Sequence, residues 1–387
     1  MLTKIAIANY RSLRDVVIPV GRLNVVTGPN GSGKSSLYRA LRLLAATAQG
    51  GLISSLAREG GLQSTLWAGP ESFSRSVLAG EYPVQGTRRK EPISLRLGFA
   101  GEALGYAIDL GLPVRDSGRT QFALDPIIKH ECIWGGAALR PSTLLVDRRG
   151  PSIRARGEDG EWQTLPQVIA DFDSMMTEFA DVRSAPEMLA VRKEVRSWRF
   201  YDQFRTDAES PIRLPQIGTH TPVLGNDGAD LPAALQTIFE IGEPEALDAA
   251  IDDAFPGSRL TITNTDGRFE VTMAQHGLLR PLKGAELSDG TLRYLLLVAA
   301  LSTPRPPALM VLNEPETSLH PDLLAPLARL VARASSHSQV IVVSHAVALV
   351  EALAREAGSA SVVLEKHFGE TRIAGDVEVP AWKWPAR

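Results

Sequence analysis

The chain has 387 residues, 44% of them apolar, which is enough material for one large domain or two moderate ones. A net charge of −3 gives no global positive field, so any contact with nucleic acid has to come from local patches. The single cysteine, Cys132, excludes a disulfide framework and a cysteine-rich metal site and suits a reducing compartment. No segment approaches about eighteen uninterrupted apolar residues, and the opening MLTKIAIANYRSL lacks the apolar run of a secretory signal. A cytoplasmic protein with no membrane partner is expected.

Met1 to Ala46 reads as strand, strand, loop and helix. Within it, LNVVTGPNGSGKSSLYRALRL sets a complete G-x-x-x-x-G-K-[ST] pattern between an apolar strand and an amphipathic helix, the context a phosphate-binding loop requires. Gly28, Gly31 and Gly33 let the backbone curl so that its N–H groups face phosphate oxygens. Lys34 supplies a mobile charge for the β and γ phosphates, Ser35 a hydroxyl for Mg²⁺, and the helix starting near Lys34 adds its positive dipole end. Nucleotide contacts are expected along Asn30, Gly31, Ser32, Gly33, Lys34, Ser35 and Ser36, with ATP and Mg²⁺ as cofactors.

Gly50 to Gly86 is rich in Gly and Ser and reads as loop, with Arg58 and Gln63 as weaker candidates for nucleotide contact beside the ordinary reading of solvated side chains. ISLRLGFAGEALGYAIDLGL, Ile93 to Leu112, alternates around a turn as an antiparallel hairpin does, and TLLVDRRGPSIRARGEDGEW predicts a second one. PQVIADFDSMMTEF and APEMLAVRKEVRSWRFYDQF have helical period, the latter ending in Trp198, Phe200, Tyr201 and Phe204. A Pro/Gly-rich connection, Pro211 to Gly228, precedes helix over Leu231 to Phe255 and strands over Arg259 to Met273. Basic residues gather at Arg88, Arg89 and Lys90, at Arg148 and Arg149, and along Arg192, Lys193, Arg196 and Arg199. Each group reads either as a path for a phosphate backbone or as a solvated charged face.

Three segments near the other end complete the pattern. ELSDGTLR, Glu286 to Arg293, places Ser288 and Gly290 at the start of an apolar helix. ALMVLNEPETSLHP is a buried strand ending in Asn313 and Glu314, with Glu314 placed to polarise a water. Gln339 to Val343 is another β-branched strand, followed by Ser344 and His345, whose imidazole is suited to donating to a γ-phosphate.

In this order and spacing the chain resembles the RecF/SMC-like ABC ATPases, in the stand-alone AAA ATPase-domain branch related to the ATPase half of OLD-family proteins. The likeness rests on IANYRSLRDVVIPVGRLNVVTGPNGSGKSSLYRALRLLA at one end and on LNEPETSLHPDLL with VIVVSHAVALVEAL at the other; the middle carries little of it. It implies an α/β P-loop fold with a mixed, largely parallel core sheet, an antiparallel β lobe and a short helical lid, arranged as 1–163 (P-loop and lobe), 164–258 (helical insertion) and 259–387 (signature, Walker B, switch histidine). It implies ATP hydrolysis with Glu314, His345 and Lys34 catalytic, and Ser35 and Asn313 on the metal. It also implies a homodimer in which Ser288 and Gly290 of one copy cap the nucleotide of the other, with Ser318 to Pro321, including His320, along the seam.

Two departures follow. Asn313 stands where the family usually has Asp, which removes a charge beside a divalent ion and predicts slow hydrolysis. The signature reads LSDGT, so Asp289 brings a carboxylate to the phosphate-facing turn and has to point away or bind something else. About forty residues follow His345, fewer than an OLD-type nuclease domain needs, so DNA cleavage is expected only with a separate nuclease effector. Two readings stay open: an ATP-driven engine acting on DNA or a partner effector in repair, recombination or phage defence, and a nucleotide-gated switch with little hydrolysis.

Overall fold

The computed structural model describes all residues except 72–74, 79–93, 114–120, 123, 158, 180–182, 376–377 and 387. The basic group Arg88, Arg89 and Lys90 lies outside the described residues. In chain order the elements are β1 (Leu2–Tyr10), β2 (Leu13–Pro19), β3 (Leu23–Thr27), α1 (Lys34–Ala46), α2 (Leu52–Arg58), α3 (Leu62–Thr65), α4 (Arg75–Leu78), β4 (Leu95–Gly101), β5 (Leu104–Gly111), β6 (Ile127–Gly135), β7 (Leu144–Arg149), β8 (Ser152–Arg156) and β9 (Trp162–Thr164). There follow α5 (Met175–Glu178), α6 (Pro186–Ser197), β10 (Arg199–Tyr201), β11 (Gln216–Ile217), α7 (Leu231–Ile241), α8 (Pro244–Ala254), β12 (Arg259–Thr265), β13 (Arg268–Ala274), β14 (Leu282–Lys283) and α9 (Asp289–Leu301). The last elements are β15 (Leu309–Asn313), α10 (Leu324–Ala334), β16 (Gln339–Val343), α11 (Val347–Ala357), β17 (Ala360–His367) and β18 (Glu370–Ile373). They form two units: Met1–Val20, Gly28–Arg196 and Val362–Arg387 in the first, Gly21–Thr27 and Ser197–Ser361 in the second.

The first unit is built on an antiparallel sheet in the order β2-β1-β4-β5-β6-β7-β8-β9. The two predicted hairpins are present, β4 with β5 and β7 with β8, the latter closed by Gly150 at φ +55°, a conformation glycine adopts without steric cost. The central strands β5 and β6 are buried along most of their length, and Trp134 packs edge-on against Trp382 of the C-terminal segment at 5.6 Å between ring centroids. Arg148, expected as part of a basic surface, is instead completely buried. Its guanidinium meets Glu131 at 2.6 Å and donates to the carbonyls of Gly150, Ala170 and Asp173, while Tyr106, Ser174 and the Met175 amide complete the shell of Glu131. A buried pair this fully bonded is tolerated, but losing one partner would strand a charge. Those bonds hold residues 166–174 in an irregular run, so the helix read over PQVIADFDSMMTEF shrinks to α5.

The second unit carries a parallel sheet in the order β10-β15-β16-β3, with the largely apolar helix α9 buried along Leu292 to Leu301. A smaller antiparallel sheet, β11-β13-β12 with β14 on β13, has its main hairpin closed by Asp266 and Gly267, both at positive φ, the turn chemistry that matches strand twist. The aromatic end of the helix read through Phe204 is not helical: α6 stops at Ser197, and Arg199–Tyr201 becomes the edge strand beside β15. The α/β architecture, with a parallel core sheet and an antiparallel lobe, is the one the motifs implied.

Asp147 gives this fold a pH signature. Burial disfavours its charge, but hydrogen bonds from His130 (2.5 Å) and Arg154 (2.6 Å), with the charge of Arg149, outweigh burial and hold the carboxyl at about 2 against an ordinary 3.8. A depressed folded-state value contributes stability above the unfolded value and loses it as pH falls through the folded one. Urea unfolding followed by tryptophan fluorescence should therefore show stability declining from pH 3.8 towards 2, and Asp147→Asn should flatten that part of the profile.

Candidate nucleotide site

The phosphate-binding loop belongs to the first unit. Gly28, Gly31 and Gly33 have φ of +142°, +77° and +113°. At two of them space is as restrictive as angle: a Cβ on Gly28 would stand 2.2 Å from Leu364 O, and one on Gly33 would stand 2.3 Å from Thr371 Oγ1. Lys34 is largely buried and its Nζ donates to Gly28 O (2.6 Å) and Pro29 O (3.1 Å), which draws the ammonium across the loop. Helix α1 begins with no side-chain cap and no acidic residue in its first turn, so its leading N–H groups and dipole face outward uncompensated. Ser32 Oγ is buried without a protein partner, Ser36 is half-buried, and Ser35 and Asn30 are exposed. These donors, with no competing carboxylate among them, fit a phosphate chain.

Two residues that no motif marks brace this loop. Thr371, on β18, donates to Ser32 O at 2.7 Å, meets Ser12 Oγ at 2.8 Å, and bonds through its own amide to Ser12 O.

The second unit brings the other candidates to one sheet edge. The pairs Asn313↔Val343 and Val343↔Val26 put the ends of β15, β16 and β3 level, and the Glu314 amide extends the ladder by donating to Val343 O at 2.7 Å. Glu314 has φ +49°, a conformation that costs a non-glycine residue roughly 1 kcal/mol or more and turns the chain sharply off the strand. His345 Nδ1 lies 3.7 Å from Glu314 Oε1 and 3.5 Å from Glu316 Oε1, too long for good hydrogen bonds but close enough for electrostatic coupling. Sequence reading passed over Glu316, yet it organises this edge. Its Oε1 accepts from Ser344 Oγ (2.7 Å), the His345 amide (3.1 Å) and the Ala346 amide (3.3 Å), the residues that lead from β16 into α11. Behind it, burial lowers the Arg293 guanidinium's pKa, opposed by the charges of Glu316, Asp202 and Glu314.

The signature segment is ordered within the same unit. Ser288 caps α9: its Oγ accepts from the Thr291 amide at 3.1 Å and lies 2.8 Å from Thr291 Oγ1, with the residue itself exposed. A Cβ on Gly290 would sit 2.9 Å from Ser318 O, so this glycine lets the turn after β15 approach the helix start. Asp289 binds Arg213. His320 caps the following turn, its Nδ1 accepting from the Asp322 amide at 3.3 Å.

The family model for an AAA domain, described as putative AbiEii toxin, Type IV TA system, matches residues 23–351. The chain belongs to this AAA family. Among solved structures, it is similar to an SMC head bound to the C-terminal winged-helix domain of ScpA, with a TM-score of 0.51 and 14% identity over 96% of this chain and 97% of that one. The Pyrococcus furiosus Smc head with an extended coiled coil, bound to the C-terminal domain of ScpA, gives 0.50 and 12% over 96% and 95%. An OLD nuclease of Thermus scotoductus is 41% identical over 44 residues, a stretch spanning 11% of this chain and 8% of that protein. The fold is thus that of the SMC heads, and the family is the AAA one matched over residues 23–351.

In this AAA-family chain Arg58 and Gln63 are exposed on α2 and α3. Their neighbour Glu59 instead receives Tyr10 (2.7 Å) and Arg11 (2.7 Å) from the end of β1 and the turn that follows. Among the described residues no helix is long and apolar enough to cross a membrane, and no group of three or more His, Cys, Asp and Glu side chains has the arrangement of a metal site. Glu316→Ala removes an acceptor that three buried or half-buried donors share, so chemical denaturation should show a loss of about 3 kcal/mol. Glu316→Gln, which keeps one acceptor oxygen, should lose less than half of that.

Proposed function

We propose that this chain binds ATP with Mg²⁺ and hydrolyses it slowly, and that two copies close on the nucleotide to drive work on DNA or a partner effector in repair, recombination or phage defence. The observation that carries the reading is the phosphate-binding loop: three glycines at positive φ, a helix start without any acid, and the Lys34 ammonium drawn across the loop. In this scheme Lys34 neutralises phosphate charge and the amides from Asn30 to Ser36 bind phosphate oxygens. Glu314 accepts a proton from the attacking water, while His345, held through its backbone by Glu316, donates towards the charge that develops. Ser35 and Asn313 are the proposed holders of Mg²⁺, whose role when bound is to offset negative charge on the phosphates.

Ser288 and Gly290 are assigned to the nucleotide of the second copy. Ser288 suits this task because it is exposed at the start of α9, where its oxygen accepts from the Thr291 amide. The matched stretch of OLD nuclease and the ScpA-bound SMC heads support a protein effector as one target. For DNA, support comes from Lys193 and Arg196, exposed on α6, whereas Arg192 on the same helix is half-buried.

Lys34→Ala should abolish detectable ATP binding in calorimetry; unchanged affinity would remove the basis of the assignment. Glu314→Gln should still bind ATP, turn over at least about 100-fold more slowly, and sediment as a dimer only with ATP. A protein that stays monomeric under those conditions argues against the homodimer.

The switch reading is kept by one residue, Asn313, which is neutral at the position proposed to face the cation. If that missing charge limits turnover, Asn313→Asp should raise the hydrolysis rate roughly tenfold and lower the Mg²⁺ concentration needed for half-maximal rate. A rate that does not rise favours a protein that binds nucleotide chiefly as a signal.

A further inference from the structure

The carboxylate of Asp289 stands in the first turn of α9, beside Ser288 and Gly290, where an incoming phosphate would meet it. A helix start attracts anions, so a protein carboxylate there competes with a ligand one and repels it. The residue that answers this charge is Arg213, 76 positions earlier in the chain and only 10% exposed.

Every nitrogen of its guanidinium is engaged. Nε donates to Thr206 O and Asp207 O, both at 3.0 Å. Nη1 donates to Leu287 O at 2.8 Å, with Ala285 O and Gly284 O at 3.2 and 3.3 Å. Nη2 donates to Thr206 O at 2.8 Å and forms the ion pair with Asp289. One rigid fork thus grips the carbonyls leading into the signature and its acidic residue together. Lysine would answer the Asp289 charge with fewer directed donors to the carbonyls.

We propose that Arg213 is the positioning residue of the signature segment: it cancels the Asp289 charge and turns that carboxylate aside, leaving the start of α9 able to receive the phosphate of a nucleotide held by a second copy of this chain. The inference rests on the ATP-sandwich reading above. Arg213 does not itself reach the phosphate, because its donors are already spent on carbonyls and Asp289.

The test uses the full-length chain carrying Glu314→Gln, with ATP-dependent dimerisation measured by sedimentation and ATP affinity of the monomer measured separately. Arg213→Gln should weaken dimerisation at least tenfold while leaving monomer ATP affinity within twofold, since the phosphate-binding loop is untouched. Arg213→Lys, which keeps the charge, and Arg213→Gln with Asp289→Asn, which removes the charge needing an answer, should both return to within threefold of the parent. If the double variant remains as weak as Arg213→Gln, the guanidinium is only a structural clamp and the proposal is overturned. It is equally overturned if Arg213→Gln dimerises normally. Should Arg213→Gln fail to fold, Arg213→Lys decides: dimerisation within threefold of the parent supports the proposal, and a tenfold loss with a native unfolding midpoint overturns it. A Glu314→Gln parent that binds ATP but never dimerises removes the sandwich reading itself, and the role of Arg213 falls with it.

Discussion

Parallel strands all end on the same edge, and in this chain the pairs Leu312↔Val342, Asn313↔Val343 and Val343↔Val26 hold three of those ends level. The alignment is enforced by burial: every residue of β16 is buried, as are four of the five in β15 and in β3. A slip of one residue would exchange the faces of an entire strand, so the register is tightly specified. From that single constraint follow, within the second unit, the sharp turn at Glu314 and the position of His345. Ligands of open α/β sheets characteristically lie beyond such carboxyl ends, because that is where loops are free to vary without disturbing the ladder.

Three helices begin in the segments that carry the motifs, and each treats its unsatisfied N–H groups differently. Ahead of α11 the chain supplies its own anion, Glu316, which takes the amides of His345 and Ala346 just before the first turn. At α9 the N-cap is filled by Ser288 and the first-turn acid is tied to Arg213. At α1 there is neither cap nor acid. The contrast is electrostatic: a helix end that the protein satisfies is structural, whereas one left open next to a lysine is prepared for an anion from outside.

Those motifs were legible because each is local. A glycine at +77° or +113° and a lysine six residues after the first glycine are features of one loop, and a short stretch of sequence carries them. What sequence missed joins distant positions. Thr371 meets Ser32 across 339 residues, Arg213 meets Asp289 across 76, and Tyr201 finds its place only when Leu312 is beside it. Helical period misled over residues 166–174 for the same reason, since the bonds that fix Ala170 and Asp173 come from a buried arginine on β7. Arg148 itself looked like surface because charge is visible in sequence and a buried partner is not. Glu316 was overlooked beside Glu314, because two neighbouring acids differ in role only through what the next strand presents to each.

The charges around Glu314 also give Asn313 a physical rationale independent of turnover. One imidazole nitrogen of His345 lies within 3.7 Å of both Glu314 and Glu316, so two carboxylates already share a small region, with the partly desolvated Arg293 behind them. A third carboxylate at 313 would add like-charge repulsion to a turn that already holds Glu314 at positive φ, and only a bound cation would relieve it. With asparagine there, the strand end can hold its geometry without a cation; under the proposed function the cost would be weaker attraction for a divalent ion. In the proposed reading, stability of the turn without a cation and attraction for a divalent ion would be set against each other at this residue.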